Sequence, residues 1–393
     1  MRHIGTAERR ARMGVRHRLA AGTQEDGVAP AAESVVALHA TDPATVYLSA
    51  LARMRGDDVG AVEDALYDER SLVRLLGMRR SMFVVPRDLA PIVQAACSRT
   101  IAQAQRRRLV KLLDDAGVAA DAAAWVADVE KSVLRALRAR GEAIAAELAE
   151  DEPRLRTSLV MAEGKPYQAT QNITSRVLFQ LAIDGHIVRG RPRGGWTTNN
   201  YSWSPMESWL PGGMPEHDPG QSRAELVRRW LAAFGPAPLS DLKWWTGLGA
   251  RELAPAVSSV GAVEVDLGGG GGGLVLADDV DEVERPEPWV ALLPGLDPTP
   301  MGWHRRDWYL DERTAAAVVD RTGNIGATVW CDGRVVGGWA QRRSGEIVYR
   351  LLEDIGAEGR AAVEDAAAAL AKRIGAARVT PRFPAPLDKA LAG

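Results

Sequence analysis

The chain has 393 residues, 46% hydrophobic and 25% charged, so a prior of roughly 150 residues per domain predicts two or three packed units. With 49 Lys+Arg against 51 Asp+Glu and a formal net charge of -2, a histone-like, uniformly basic chain is excluded, and any anionic partner must be met by local patches. Two cysteines, no Cys/His spacing of zinc-finger type and no apolar run near the roughly 20 residues of a membrane span predict a cytoplasmic chain without disulfide framework, metal, cofactor or membrane segment.

Only six of the basic residues are Lys, so the surface offers planar guanidinium forks suited to phosphate. They are unevenly placed. Met1 to Arg18 holds six Arg and one acid, Glu8. Residues 30–86 then read as a compact unit, with helices over Ala32–Leu38, Pro43–Met54, Gly60–Tyr67 and Ser71–Leu76 and a closing strand Ser81–Val85. Between Arg99 and Lys111 come five more cations without an acid, including Arg106 and Arg107.

Further along, a short helix (Ala143–Ala149) and a second helical segment (Gln168–Ile183) lead into two strands, His186–Arg189 and Trp196–Trp203. Arg189 ends the first strand, and the turn Gly190 to Gly195 carries Arg191 and Arg193. Helix, turn, helix and a basic hairpin is the order of a winged helix-turn-helix, in which helix and wing straddle a duplex. The order recurs at 221–278, with helices through Ala233, over Leu239–Thr246 and over Ala250–Ser259, then strands Ala262–Leu267 and Leu274–Ala277. The six glycines Gly268 to Gly273 at that hairpin tip lack the helix start and Lys-Ser/Thr of a phosphate loop. From Glu287 the pattern changes to strands Trp289–Leu293, Ala327–Trp330, Val335–Ala340 and Ile347–Leu352 with one Ala-rich helix near 357–374.

The expected fold is α+β: three winged-helix units (1–120, 121–215 and 216–285) and a C-terminal β-rich unit (286–393), C-shaped around DNA. Such an architecture also serves a regulator that binds DNA without chemistry. Particular residues point to an enzyme. Val35-Val36-Ala37-Leu38-His39-Ala40-Thr41-Asp42-Pro43 with Tyr47-Leu48 resembles the catalytic stretch of AlkZ-like DNA glycosylases. Similar matches are Met78-Arg79-Arg80-Ser81-Met82-Phe83-Val84, the wing Arg189 to Trp196, Leu293-Pro294-Gly295-Leu296-Asp297-Pro298-Thr299-Pro300-Met301-Gly302-Trp303 with Arg306-Asp307-Trp308-Tyr309, and Asp332 to Trp339.

The resemblance implies a monomeric, monofunctional hydrolase acting on duplex DNA with bulky N7-alkylguanine, in self-resistance to a natural-product alkylator. The family usually carries Gln-aliphatic-Gln or Gln-aliphatic-Asp where this chain has His39-Ala40-Thr41. A purine alkylated at N7 or N3 is already cationic, so what remains is to stabilise an oxocarbenium-like sugar and place a water. His39, with a pKa near working pH, is expected to bond that water or take its proton, Thr41 to orient it, and Asp42 to be the next candidate base. An i, i+2 pair faces apart within a helix, so the two are expected at a helix end or bend. The competing reading is a structural His before a Thr-Asp-Pro helix start.

Arg79, Arg80, Arg106, Arg107, Arg189, Arg191, Arg193, His304, Arg305 and Arg306 are the expected DNA contacts, with Trp196, Trp303 and Trp308 as stacking candidates. Trp125, Trp230, Trp244 and Trp245 are expected in the core. No Lys precedes position 111, which predicts simple hydrolysis without a Schiff base. Because a bulky adduct resists extrusion, an open cleft along the His39 segment is expected in place of a closed base pocket.

Overall fold

The computed structural model describes residues 1–56, 58–161, 169–269 and 271–393. Helix α1 (Thr6–Arg16) turns most of its cations inward. Arg12 is 1% exposed and bonds Glu8 at 2.8 Å and Asp279 at 3.1 Å, Arg16 joins Asp279, and Arg9 lies 4.1 Å over the Trp308 ring. The expected N-terminal basic patch is therefore mostly internal, because a buried guanidinium persists only where carboxylates or ring faces receive it.

Next come α2 (Val28–Glu33), β1 (Leu38–His39), α3 (Pro43–Leu51), α4 (Val59–Glu63), β2 (Leu72–Leu76) and β3 (Met82–Pro86). Two expectations fail here. The helix placed over Ala32–Leu38 ends at Glu33, and Ser71–Leu76 is a strand. Every residue of β2 is buried, and its pairing with β3 outweighs the helix propensity of its leucines. The antiparallel sheet has the order β1-β3-β2, with His39 opposite Phe83 and Arg74 opposite Val84.

Helix α5 (Ala90–Val93) continues through a π-helical turn into α6 (Arg99–Asp115), followed by α7 (Ala122–Arg140) and α8 (Ala145–Asp151). Strands β4 (Ser158–Met161) and β5 (Ala169–Asn172) precede α9 (Thr174–Ile183) and the hairpin β6 (Ile187–Pro192) and β7 (Tyr201–Pro205). The helical segment expected from Gln168 is thus shorter: Gln168 lies outside the described residues, 169–172 is strand, and the helix begins at Thr174. The second hairpin strand likewise starts at Tyr201, not Trp196. Leu109 and Leu113 of α6 pack with Val126, Val129 and Val133 of α7 and Leu178 and Leu181 of α9 in one core.

The third helix and hairpin segment follows expectation closely: α10 (Pro219–Phe234), α11 (Leu239–Thr246), α12 (Ala250–Ser259), β8 (Ala262–Asp266) and β9 (Gly272–Leu276). Gly247, at φ 74°, ends α11 in the left-handed conformation. Gly270 of the glycine tip lies outside the described residues.

The last part adds β10 (Val290–Leu293), α13 (Glu312–Val318), β11 (Thr328–Cys331), β12 (Arg334–Gln341), β13 (Ile347–Leu351), α14 (Gly356–Ile374) and α15 (Pro386–Ala392). Four antiparallel strands in the order β10-β11-β12-β13 carry α14 on a core of Val329, Val336, Trp339, Val363, Leu370 and Ile374. A separate, larger core joins Val46 and Leu51 of α3, Trp230 of α10 and Leu293 of β10. Within it Arg53 and Asp297, both fully buried, meet at 2.7 Å. The whole is a mixed α+β fold of helices and small antiparallel sheets. Among the described residues no helix is long and apolar enough to cross a membrane.

Candidate active site

Strand β1 ends at His39 and α3 begins after Asp42, so His39-Ala40-Thr41 is the bend between strand and helix, where an i, i+2 pair can face one space. The bend is fixed from both sides. The Ala40 amide donates to the Met82 carbonyl at 2.8 Å, and Asp42 caps α3 by accepting the Ala44 amide at 3.1 Å, with Pro43 in the first turn.

His39 is 6% exposed, its ring edge-on to Phe83 at 5.2 Å. Its Nδ1 faces the Thr41 amide at 3.4 Å, which assigns the proton to Nε2. Burial, and secondarily the neighbouring Arg79, push its pKa down to about 3. The expected titration near working pH is therefore corrected: this imidazole is neutral, with a donor N–H and little basicity. Asp42 spends its second oxygen on the Arg382 amide at 2.8 Å, and burial raises its pKa. Arg382 also donates to the Thr41 carbonyl at 3.2 Å, so the segment before α15 straps the bend.

Behind the bend stands Arg74 of β2, 3% exposed. It reaches the Ala40 carbonyl at 3.4 Å and lies 4.7 Å over the ring of Tyr201 from β7. The hairpin β6–β7 is thus docked on the first segment, with Trp196 half-buried 5.2 Å from Tyr47. This changes the standing of its arginines. Arg191 pairs with Glu63 at 3.2 Å and Asp68 at 2.6 Å, Arg193 with Glu147 at 3.1 Å. Arg189 is half-buried over Tyr201, and desolvation lowers its pKa to about 10.

Cations gather instead on another ridge. In the β2–β3 turn Arg79 and Arg80 have φ of 51° and 62°, left-handed conformations that cost side-chain-bearing residues energy and recur at functional positions. Arg79 stacks 3.8 Å over Trp244 of α11, and Arg306 stands 5.9 Å from the same ring. Trp244, expected in the core, is a half-buried platform between two cations, whereas Trp230 and Trp245 are buried. Arg80 is exposed over Phe179 at 5.6 Å, and Arg107, His304 and Arg305 are exposed.

Three expected contacts are placed elsewhere. Arg106 bridges Glu130 at 3.0 Å and Asp184 at 2.6 Å, tying α6 to α7 and to the end of α9. Trp303 is 2% exposed, donating to the Phe234 carbonyl at 3.0 Å, and Trp308 is 6% exposed beneath Arg9. Both are core, so neither ring can stack on a base. Arg74 and Arg382 were missed by sequence reasoning. Arg74 had a signal, a lone charge inside the apolar run Leu72–Leu76; Arg382 had none, since only the fold brings it to the bend.

Residues 32–373 match the family model of AlkZ-like DNA glycosylases. The fold is similar to that of the Streptomyces sahachiroi DNA glycosylase AlkZ, with a TM-score of 0.71, 20% sequence identity, and coverage of 96% of this chain and 98% of that one. No curated relative matches in sequence. The chain belongs to the AlkZ-like DNA glycosylase family. It is a DNA-binding enzyme of DNA repair.

Proposed function

We propose that the protein is a monofunctional glycosylase that hydrolyses the N-glycosidic bond of bulky N7-alkylguanines in duplex DNA, for self-resistance to a natural-product alkylator. In this reading its three helix and hairpin segments act as winged-helix units. With the C-terminal sheet they form a C-shaped cytoplasmic monomer whose duplex rests on the Arg79–Trp244–Arg306 ridge. The observation that carries it is the bend: a neutral His39 and the half-buried Thr41 at a strand-to-helix junction, electrostatically coupled to Arg79 of that ridge.

The chemistry follows from the cationic leaving group. As the bond from sugar C1′ to the purine breaks, its electron pair neutralises the alkylated base, so no acid is needed. A water adds to the oxocarbenium-like sugar and gives its proton to solvent. His39 Nε2–H and the Thr41 hydroxyl position that water by hydrogen bonds, and the buried imidazole adds no charge that would repel the sugar cation. Asp42, with both oxygens on backbone amides, holds the bend's shape. Arg74 and Arg382, each on a bend carbonyl, do the same. In this reading the enzyme reaches the sugar at the bend from the minor groove with the adduct still stacked, which suits a lesion too large to flip.

The test is incubation with duplex carrying a bulky N7-alkylguanine, with mass spectrometry of the released fraction. Free alkylguanine and an unbroken abasic strand are expected. No liberated base from bulky adducts, with release from N7-methylguanine alone, would overturn the proposed substrate.

A further inference from the structure

A cavity of about 420 Å³ opens between the start of α1, the start of α11, the β8–β9 hairpin tip at Leu267, Gly268, Gly269 and Gly271, and the loop bearing Arg305, Asp307 and Trp308. Two helices begin on its wall. Gly5 precedes α1 and Pro238 precedes α11, neither start has a side-chain cap, and neither residue carries a side chain able to provide one. In α11 the Asp241 amide turns back to the Pro238 carbonyl at 2.9 Å; the amides before it and those opening α1 have no side-chain cap, and both helix dipoles present their positive ends.

Arg9 lines the same cavity. It is only 8% exposed, yet its Nε and Nη2 have no hydrogen-bond partner among the described residues. Its guanidinium is held flat, 4.1 Å over Trp308. A buried guanidinium with unmade hydrogen bonds is costly unless a ligand completes it. Arg305, exposed at the mouth, adds a second cation with no ion pair among the described residues.

The opposing charges are few. Asp307 is exposed on the wall. Asp241 lies behind it and is partly engaged, accepting the Arg305 amide at 3.1 Å; both carboxylates are within electrostatic range of Arg9. His3 at the rim is bonded to Asp266 at 2.9 Å. The two guanidinium groups are balanced by these carboxylates, so the attraction for an anion comes from directed donors, and two helix starts with a planar fork match a tetrahedral oxyanion.

We infer that this cavity is a seat for one phosphate group, either a phosphodiester of the DNA backbone or free phosphate, held by Arg9, Arg305 and the first turns of α1 and α11. Arg305 adjoins Arg306 of the ridge, so a duplex lying there has a backbone phosphate to offer. The seat goes beyond the proposed glycosylase chemistry and does not depend on which base is released.

The full-length protein decides it in two assays. One is affinity for undamaged duplex across a salt series; the other is thermal melting in potassium phosphate against potassium chloride at equal ionic strength. If the ligand is the DNA backbone, Arg305→Ala and Arg9→Gln each weaken duplex binding about tenfold and lower the salt slope by about one, while Asp307→Asn strengthens binding. If it is free phosphate, phosphate raises the melting temperature of the wild type more than chloride does. Arg305→Ala then removes that gain, Asp307→Asn enlarges it, and duplex affinity is unchanged. Should Arg9→Gln fail to fold, Arg305→Ala decides alone: it lowers the salt slope by about one if the seat holds a backbone phosphate, or abolishes the phosphate-specific gain in melting temperature if it holds free phosphate, and the absence of both changes overturns the seat. Equal duplex affinity and salt slope in all variants, with no phosphate-specific gain in melting temperature, would overturn the seat.

Discussion

A neutral His39 makes the pH profile of base release a sharp test. With a pKa near 3, about 1% of the imidazole is protonated at pH 5 and less above it, so its contribution is constant between about pH 5 and 8. An exposed histidine titrating at 6.5 would instead lose about 30-fold of its neutral form between about pH 7.5 and 5. The assay is single-turnover release of alkylguanine at saturating enzyme, corrected for uncatalysed depurination. A flat profile is expected; a fall of about 30-fold with a midpoint near 6.5 would refute the assigned state of His39.

The same burial has a thermodynamic signature. The folded pKa lies below the ordinary value of 6.5, so the stabilising effect of a neutral imidazole is complete above 6.5 and is lost as pH falls toward 3. At about pH 5 the loss is about 2 kcal/mol. His39→Gln should remove that much of the acid sensitivity in denaturant titrations. The buried His17, also shifted well below its usual value by desolvation, should retain its own share.

Asp42→Ala should destabilise the protein by about 1–2 kcal/mol through loss of the α3 cap, measured by urea unfolding. Once folded at low temperature it should release base within about tenfold of wild type, and a selective loss of about 10³-fold would make Asp42 a catalytic group. Breaking the buried Arg53–Asp297 pair with Asp297→Ala should cost about 3–5 kcal/mol, and a change below about 1 kcal/mol would contradict its burial without solvent access. Arg79→Ala should weaken undamaged duplex binding evenly across sequences and lower the salt slope by about one. Arg191→Ala, whose charge is already spent on Glu63 and Asp68, should change that slope less, and a larger effect there would place the duplex on the β6–β7 hairpin.

Hairpins β6–β7 and β8–β9 were legible because glycine and arginine turns interrupt apolar runs, and α10 to α12 because of their apolar periodicity, whereas the β4–β5 pair was missed. The bend was legible too, since Thr-Asp-Pro announces a helix start and an i, i+2 pair cannot share a mid-helix face. What local pattern could not supply was the partner of each charge. Arg12 has Glu8 one turn away, but Asp279 reaches it only through the fold, and Glu63 and Asp68 reach Arg191 only because the β6–β7 hairpin docks on the first segment. Strand β2 was misread because its five buried residues carry no alternation to distinguish strand from helix. Trp303 and Trp308 were misread because His304 and Arg305 beside them in sequence are exposed while their rings are buried. His39 was placed correctly, but its pKa depended on burial that no linear motif encodes.

The most direct test of the catalytic assignment is single-turnover release of a bulky N7-alkylguanine by wild type, His39→Ala, Thr41→Ser and Thr41→Val, each shown to be folded and DNA-saturated. Positioning of water by the bend predicts release slowed by about 10²-fold or more in His39→Ala and in Thr41→Val, with Thr41→Ser close to wild type because it keeps the hydroxyl. Wild-type rates in both His39→Ala and Thr41→Val would contradict the account and move the chemistry away from the bend.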